Sequence, residues 1–239
     1  MAMCAIRVAF VALLLLVTPF AVSSPALAQD ARDSAHADEP GQFDFYVLSL
    51  SWSPSFCAEA AERHRNRSAG RQCGARPYSF VVHGLWPQYD KGFPENCQTP
   101  SPRLYHGIVA SMLDLMPAPH LIYNEWDKHG TCSGLSPSAY FDGVRKARAA
   151  IAIPPDYANL TAPLNVTPGA VEDAFIKANP GLSAASIAIE CDKRRLTEVR
   201  LCLAKDLSAD VKFHDCPEVA RRSCRREQLV MPPVRGGNG

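Results

Sequence analysis

The stretch that decides the fold is Tyr78-Ser-Phe-Val-Val-His-Gly-Leu-Trp-Pro-Gln88, an apolar run that carries one histidine. Its aromatic and β-branched residues are enclosed by Pro77 and Pro87, a composition typical of a buried strand. Because side chains alternate along a strand, His83 is expected on the same face as Val81. A histidine at the end of a buried apolar run needs a specific reason to be there.

A second stretch, Asn124-Glu-Trp-Asp-Lys-His-Gly-Thr-Cys132, concentrates ionisable residues. If it is helical, Glu125, Lys128 and His129 fall at spacings i, i+3 and i+4, which share one helix face. Such a trio can move a proton and stabilise an anion at the same time. Each histidine taken alone is also compatible with one buried hydrogen bond, and Glu125 with an ion pair to its neighbours.

The two stretches together resemble the active-site segments of the T2-type ribonucleases, His-Gly-Leu-Trp-Pro and Glu-Trp-x-Lys-His-Gly-Thr-Cys in this order. A looser likeness runs from about Phe43 to the last cysteine, and it includes Leu196-Thr-Glu-Val, which matches a Leu-x-Glu-Val pattern of the family. The resemblance implies an α+β fold in which helices pack against an antiparallel central sheet stapled by disulfides. It also implies a low-specificity endoribonuclease that cuts single-stranded RNA without metal or cofactor.

The resemblance also implies roles for four catalytic residues. The ribose 2′-hydroxyl attacks the adjacent phosphorus, and a 2′,3′-cyclic phosphate forms before water opens it. His129 is usually the base and His83 the acid in the family, but which does which cannot be read from the sequence. Lys128 is expected to stabilise the phosphorane, and Glu125 to orient or polarise the phosphate oxygens.

Three further residues are expected to contact the substrate. Trp86 either stacks on a base, which an aromatic ring does for every base, or packs in the core. Gln88 stands where the family contacts the base edge. Asn124 replaces a third histidine of many members; it can donate a hydrogen bond but carries no charge, so we expect weaker binding with activity retained.

The N-terminus predicts export. One positive charge precedes the apolar run 8–17, and Ala26-Leu-Ala28 is a small-x-small cleavage site. The run is too short to span a bilayer comfortably, with a membrane anchor as the competing interpretation. We predict a signal peptide at 1–28, a flexible leader at 29–41, a single domain at 42–232 and a disordered tail at 233–239. The mature protein is expected to be a periplasmic or secreted monomer that does not bind a membrane.

The cysteine content agrees with export. Of nine cysteines, Cys4 lies in the signal peptide, so eight remain for four disulfides in an oxidising compartment. The family resemblance pairs Cys97 with Cys132, which would clamp the two active segments together. The other expected pairs are Cys57–Cys73, Cys191–Cys224 and Cys202–Cys216. A zinc site is disfavoured because the chain has no Cys-x-x-Cys pair and no His-Glu-x-x-His motif.

The net charge of the chain bears on how it could bind nucleic acid. A net charge of +1 argues against a protein that coats nucleic acid by charge alone. Local basic clusters are interpreted as solvated surface; the last of them contains Arg221, Arg222, Arg225 and Arg226. The alternative function is a catalytically weakened, secreted RNA-binding or toxin-like interaction protein on the same scaffold. The presence of His83, Lys128 and His129 argues against that alternative.

Other elements are predicted from periodicity and from breaker residues. Strands are expected at 43–52, 186–191 and 196–203, with a short edge segment from residue 228. Helices are expected at 56–65, 104–116, 138–151 and 167–178. Loops are expected at 70–74 and 89–102.

Overall fold

A computed structural model of the chain describes Met1 and residues 38–64, 66–74 and 76–234. Apart from Met1, the predicted signal peptide lies outside the described residues, as do most of the predicted leader and the last five residues of the predicted tail. The described part is an α+β domain with a four-stranded antiparallel sheet at its centre. The fold class predicted from the sequence is therefore confirmed.

The central sheet has the strand order β2-β1-β5-β4. Its strands are β1 (Phe45–Trp52), β2 (Phe80–Gln88), β4 (Ile187–Cys191) and β5 (Leu196–Ala204). Because β1 pairs antiparallel with both β2 and β5, residues from distant parts of the sequence meet across it. A separate two-stranded sheet is formed by β3 (Leu164–Val166) and β6 (Leu229–Met231).

The helices contribute most of the remaining core. They are α1 (Ser53–Glu62), α2 (Asn66–Gly74), α3 (His106–Met112), α4 (Pro119–Lys128), α5 (Pro137–Ala149), α6 (Pro155–Ala158), α7 (Pro168–Ala178) and α8 (Pro217–Ala220). Two 3₁₀ turns lie at Gly130–Ser133 and Ala184–Ser186. No helix in the described ranges combines the length and the apolar character that crossing a membrane requires.

Alternation along β1 gives the sheet two different faces. Leu48 and Leu50 are fully buried in the apolar core, together with side chains of α4, α5 and α7. Ser49 and Ser51 point to the opposite face, where they donate hydrogen bonds to Glu198 of β5. The sheet therefore has an apolar core face and a face on which polar side chains gather.

A β-bulge interrupts the pairing of β1 with β2 at His83. Ser49 pairs with Gly84 and the next residue of β1 pairs with Val82, so His83 has no partner in the register. The extra residue turns His83 and Trp86 to the same face of β2, whereas regular alternation would place residues 83 and 86 on opposite faces. The bulge thus brings two predicted site residues together.

Three predicted elements differ from the structure by three or more residues, and one of them is the helix predicted at 56–65, which lies at Ser53–Glu62. Residues 70–74 end helix α2 instead of forming a loop, because the Cys57–Cys73 disulfide holds this segment against α1. That constraint outweighs the low helix propensity of the two glycines in the segment. The helix predicted at 104–116 is shorter, since α3 already ends at Met112.

The four disulfides join the expected pairs, which are Cys57–Cys73, Cys97–Cys132, Cys191–Cys224 and Cys202–Cys216. The Cys97–Cys132 bond connects the loop after β2 with the 3₁₀ turn after α4. Next to it, the Asn96 amide donates a hydrogen bond of 2.8 Å to the Lys128 carbonyl. The loop is thereby fixed to the end of α4.

Ordered contacts extend slightly beyond the predicted domain, 42–232. The Gly41 amide donates a hydrogen bond of 2.8 Å to the Cys132 carbonyl. At the other end, the Val234 amide donates one of 2.7 Å to the Leu160 carbonyl. Both residues are thereby held by the body of the domain.

Candidate active site

A cavity of about 320 Å³ opens on the polar face of the sheet. Its lining residues are Val47, His83, Trp86, Gln88, Phe93, Glu125, Lys128, His129, Arg200, Val219 and Arg222. Apart from the cysteines, every site residue predicted from the sequence lines this cavity except Asn124. Asn124 is exposed on α4, because each helical residue is rotated by about 100° from its neighbour and Glu125 occupies the inward direction.

Trp86 links the two histidines of this cavity. Its ring centroid lies 5.2 Å from that of His83 and 5.4 Å from that of His129. The Arg200 guanidinium lies over the same ring, 5.1 Å from its centroid. The indole Nε1 donates a hydrogen bond of 2.6 Å to Glu125 Oε2. The ring therefore lies between the predicted catalytic groups and remains partly exposed at the cavity wall.

The Phe93 ring, which the sequence analysis did not single out, lies at the cavity wall. It belongs to the loop after β2, is 45% exposed, and has its centroid 6.4 Å from that of His129. Gln88, also in the wall, is buried and donates from Nε2 to the Pro87 carbonyl at 2.8 Å. An exposed aromatic ring beside a fixed amide is a suitable surface for a planar base.

His83 lies between two carboxylates. Its Nδ1 is 2.5 Å from Glu198 Oε1, and its Nε2 is 3.6 Å from Glu125 Oε1. Burial alone would lower the pKa of His83, but the hydrogen bond to Glu198 and the negative charges of Glu198 and Glu125 raise that pKa above its ordinary value. His83 therefore retains its proton to higher pH than a free histidine.

His129 has the opposite environment. It follows the last residue of α4, is 7% exposed, and its Nδ1 has no hydrogen-bond partner. Burial, followed by the positive charges of Lys128 and His83, lowers the pKa of His129 to about 3. This imidazole is neutral in mildly acidic and neutral solution.

Lys128 and Glu125 complete the group from α4. Lys128 Nζ pairs with Glu95 Oε2 at 3.1 Å, and about half of each side chain is exposed. Exposed ion pairs contribute little free energy, so an anion in the cavity can replace Glu95. Glu125 is buried, and burial raises its pKa against the opposing effects of His83 and Trp86. A carboxyl with a raised pKa can carry a proton and donate it in a hydrogen bond.

Three charged residues near the cavity were not assigned a role from the sequence. Arg222 was interpreted as solvated surface, but it lines the cavity together with Arg200. Glu198 contacts His83 from β5. The sequence did contain a hint of Glu198. Ser49 and Ser51 put small polar side chains on one face of a strand whose other face is apolar. Such a pattern indicates that a polar residue packs against the two serines.

A second cavity, of about 230 Å³, adjoins the first. His83 belongs to both linings, and the second is also lined by Ser51, His120 and Glu198. A molecule bound in either cavity can therefore contact the His83 side chain.

Comparison with known proteins agrees with the sequence resemblance. A sequence model of the Ribonuclease T2 family matches residues 43–216. A ribonuclease of Aeromonas hydrophila is 46% identical over 99 residues, which cover 41% of this chain and 41% of that protein. A probable ribonuclease of Haemophilus influenzae is 37% identical over 120 residues, which cover 46% of this chain and 44% of that protein. The chain thus spans less than half the length of these two relatives.

A solved structure shares the fold. RNase NT in complex with 5′-AMP superposes with a TM-score of 0.56 at 24% identity, covering 80% of this chain and 99% of that one. The likeness extends over nearly the whole of that protein. It therefore supports the architecture described above.

Proposed function

The chain belongs to the ribonuclease T2 family, and we propose that it is a low-specificity endoribonuclease that cuts single-stranded RNA by attack of the ribose 2′-hydroxyl on the adjacent phosphorus. The observation that carries the proposal is a pair of histidines in one cavity whose pKa values are shifted in opposite directions. At a pH between the two pKa values, the His129 imidazole is neutral and the His83 imidazole is protonated. A base and an acid that act in the same step need this combination.

His129 acts as the base and His83 as the acid. His129 accepts the 2′-hydroxyl proton, the O2′–P bond forms, and the P–O5′ bond breaks as His83 Nε2 protonates the leaving oxygen. The product is a 2′,3′-cyclic phosphate, which water opens with the two roles exchanged. The lowered pKa of His129 and the raised pKa of His83 in the unbound protein support this order.

Lys128 and Glu125 stabilise the pentacoordinate phosphorane. Negative charge develops on its equatorial oxygens, and fixed donors are most effective where charge develops. Lys128 supplies a positive charge once phosphate displaces Glu95. Glu125, oriented by Trp86, donates a hydrogen bond to a second oxygen when it carries a proton. Arg222, also in the cavity wall, is suited to a neighbouring phosphate of the strand.

The cavity suits an unpaired base without strong selection for one base. A base in a duplex is covered on both faces by its neighbours, so only single-stranded RNA can place one against Phe93. Stacking on an aromatic ring accepts every base, and Gln88 adds one amide whose hydrogen bonds can bias the choice. Asn124, on the exposed side of α4, contributes at most a neutral hydrogen bond to the strand outside the cavity.

We further propose that the protein acts as a monomer in the periplasm or outside the cell. The N-terminal sequence has the features of a signal peptide at 1–28. The domain also holds four disulfides, which form and persist in oxidising compartments.

Gly84 provides a test of the site geometry. A Cβ at this position would lie 2.0 Å from Glu125 Oε2 and 2.2 Å from Trp86 Nε1, far inside van der Waals contact. Gly84→Ala is expected to displace this hydrogen-bonded pair and lower kcat/KM for RNA by about tenfold to a hundredfold, since small misplacements of catalytic groups have effects of that order. Gly107→Ala is the matched control, because a Cβ there meets nothing within 4 Å. Equal activity of the two variants would contradict the geometry.

The proposed function is tested with purified protein and an unstructured RNA in excess metal chelator. We expect fragments that end in 2′,3′-cyclic phosphate, detected by mass spectrometry. The double variant His83→Ala, His129→Ala serves as the control for contaminating nuclease. Cleavage that stops in chelator would overturn the metal-free mechanism. RNA that binds without being cut would instead favour the catalytically weakened interaction protein.

A further inference from the structure

We propose that Glu198 is a positioning residue that holds His83 with its Nδ1–H donated to the carboxylate and its Nε2 turned towards the cavity. The inference rests on the proposed function for its catalytic meaning, but the Glu198–His83 pair is a structural claim that can be tested without RNA. Glu198 does not line the first cavity. It acts on the reaction through the imidazole that it holds.

The proton between Glu198 and His83 can be assigned from the other contacts of the carboxylate. Ser49 Oγ and Ser51 Oγ donate to Glu198 at 3.0 Å and 3.3 Å. Arg200 donates to Oε2 from Nε at 3.1 Å and from Nη2 at 2.9 Å. A carboxylate surrounded by donors is ionised and acts only as an acceptor. The contact of 2.5 Å between Glu198 Oε1 and His83 Nδ1 is therefore an N–H donated by the imidazole.

The same contacts fix the position of the carboxylate. Both oxygens are bound, and Arg200 engages the carboxylate through two nitrogens, so rotation of the Glu198 side chain would break several hydrogen bonds at once. Arg200 is itself held by Glu190 through a bond of 2.8 Å from Nη1. Glu198 is a rigid support for an imidazole that is otherwise only partly buried.

The sheet explains how Glu198 reaches His83. The two residues lie on β5 and β2, on either side of β1, and His83 lies on the same face of β2 as Val81, which pairs with Ser51. Between them, β1 presents Ser49 and Ser51, which are small enough to let the two side chains meet above the strand. A leucine at either position would keep them apart.

This arrangement has consequences for both steps of the reaction. His83 Nε2 gives its proton to the leaving 5′-oxygen. The other proton stays on Nδ1, which still donates it to Glu198, so the neutral imidazole has its lone pair on Nε2. Nε2 then faces the cavity as a base for the attacking water. The charged groups that face His83 are Glu198 and Arg200 from β5 and Glu125 from α4. Glu198 is the one in direct contact with Nδ1.

The test replaces Glu198 by glutamine, which keeps the shape of the side chain and removes its charge. We expect the His83 titration midpoint, followed by ¹⁵N NMR of the full-length protein, to fall by about one pH unit or more, as expected when a close opposite charge is lost. The alkaline limb of the kcat/KM profile for RNA should move by the same amount, and kcat should fall by about tenfold. A merely structural role would lower stability or expression without moving either midpoint.

Glu190→Gln is the matched control. Glu190 pairs with Glu198 across β4 and β5 and binds the same arginine, but it does not contact His83. Its replacement should leave the His83 midpoint within a few tenths of a pH unit. A shift in Glu190→Gln as large as that in Glu198→Gln would overturn the inference, because the effect would then belong to Arg200.

The wild-type protein gives an independent readout in case Glu198→Gln does not fold. The ¹⁵N shifts of neutral His83 should show a protonated Nδ1 and an unprotonated Nε2. The opposite tautomer would overturn the inference. If RNA is not cut but this tautomer is found, the proposed function fails while the Glu198–His83 pair stands.

Discussion

Replacing His129 with alanine is expected to slow RNA cleavage by about a hundredfold to ten-thousandfold, the usual contribution of a positioned proton-transfer group. The 2′-hydroxyl then loses the neutral imidazole that accepts its proton. His83→Ala should have an effect of the same order, because the 5′-oxygen then leaves without a proton. The double variant should be little worse than either single one, since the two act as a unit.

The pH dependence separates the two histidines. The base must be neutral, so the rate rises as pH passes the His129 pKa of about 3. The acid must be protonated, so the rate falls as pH passes the pKa of His83, which is raised above its ordinary value. Wild-type kcat/KM should therefore be nearly level above about pH 4 and fall only as the pH passes the raised pKa of His83.

These rates are measured as cyclisation of a dinucleotide from pH 4 to pH 9. The His83→Ala variant should lose the alkaline limb, while His106→Ala, which changes an exposed histidine of α3, should behave as wild type. A His129→Ala enzyme that keeps more than a tenth of its activity would show that another group is the base.

A single 2′-deoxy nucleotide is expected to abolish cleavage at its own linkage. The nucleophile of the proposed reaction is the substrate's 2′-hydroxyl, and no protein group replaces it when it is absent. The other linkages of the same oligonucleotide should be cut at normal rates, so each molecule carries its own control. Product lengths on a sequencing gel give the result directly. Cutting at the deoxy linkage would mean that water or a protein side chain attacks the phosphorus.

Much of the fold follows from local sequence patterns. The apolar stretch 78–88 contains the strand Phe80–Gln88, and the residues around Glu125 form a helix that ends next to His129. The Cys97–Cys132 pair followed from the family resemblance, since spacing alone leaves many pairings open. Six of the predicted site residues meet in one cavity because two short segments carry all of them.

The remaining features depend on pairing between distant segments. Alternation rules assume a regular strand, so they cannot reveal that an extra residue at His83 turns Trp86 to the same face. Glu198 is 115 residues away from His83 in the sequence, and its role appears only when β1 brings β2 and β5 together. Arg222 lies in a basic cluster that resembles ordinary surface, and only its position beside the cavity distinguishes it from its neighbours.

Because β1 lies between β2 and β5 in the sheet, its two partner strands are synthesised at different times. Its partner β2 follows soon in the chain, but β5 begins only at Leu196. Strand pairing between such distant segments is slow, because a long loop must close first. A nascent chain that stops before Leu196 leaves β1 without its second neighbour and His83 without Glu198. The contact between Glu198 and His83 can therefore form only after β5 has been synthesised.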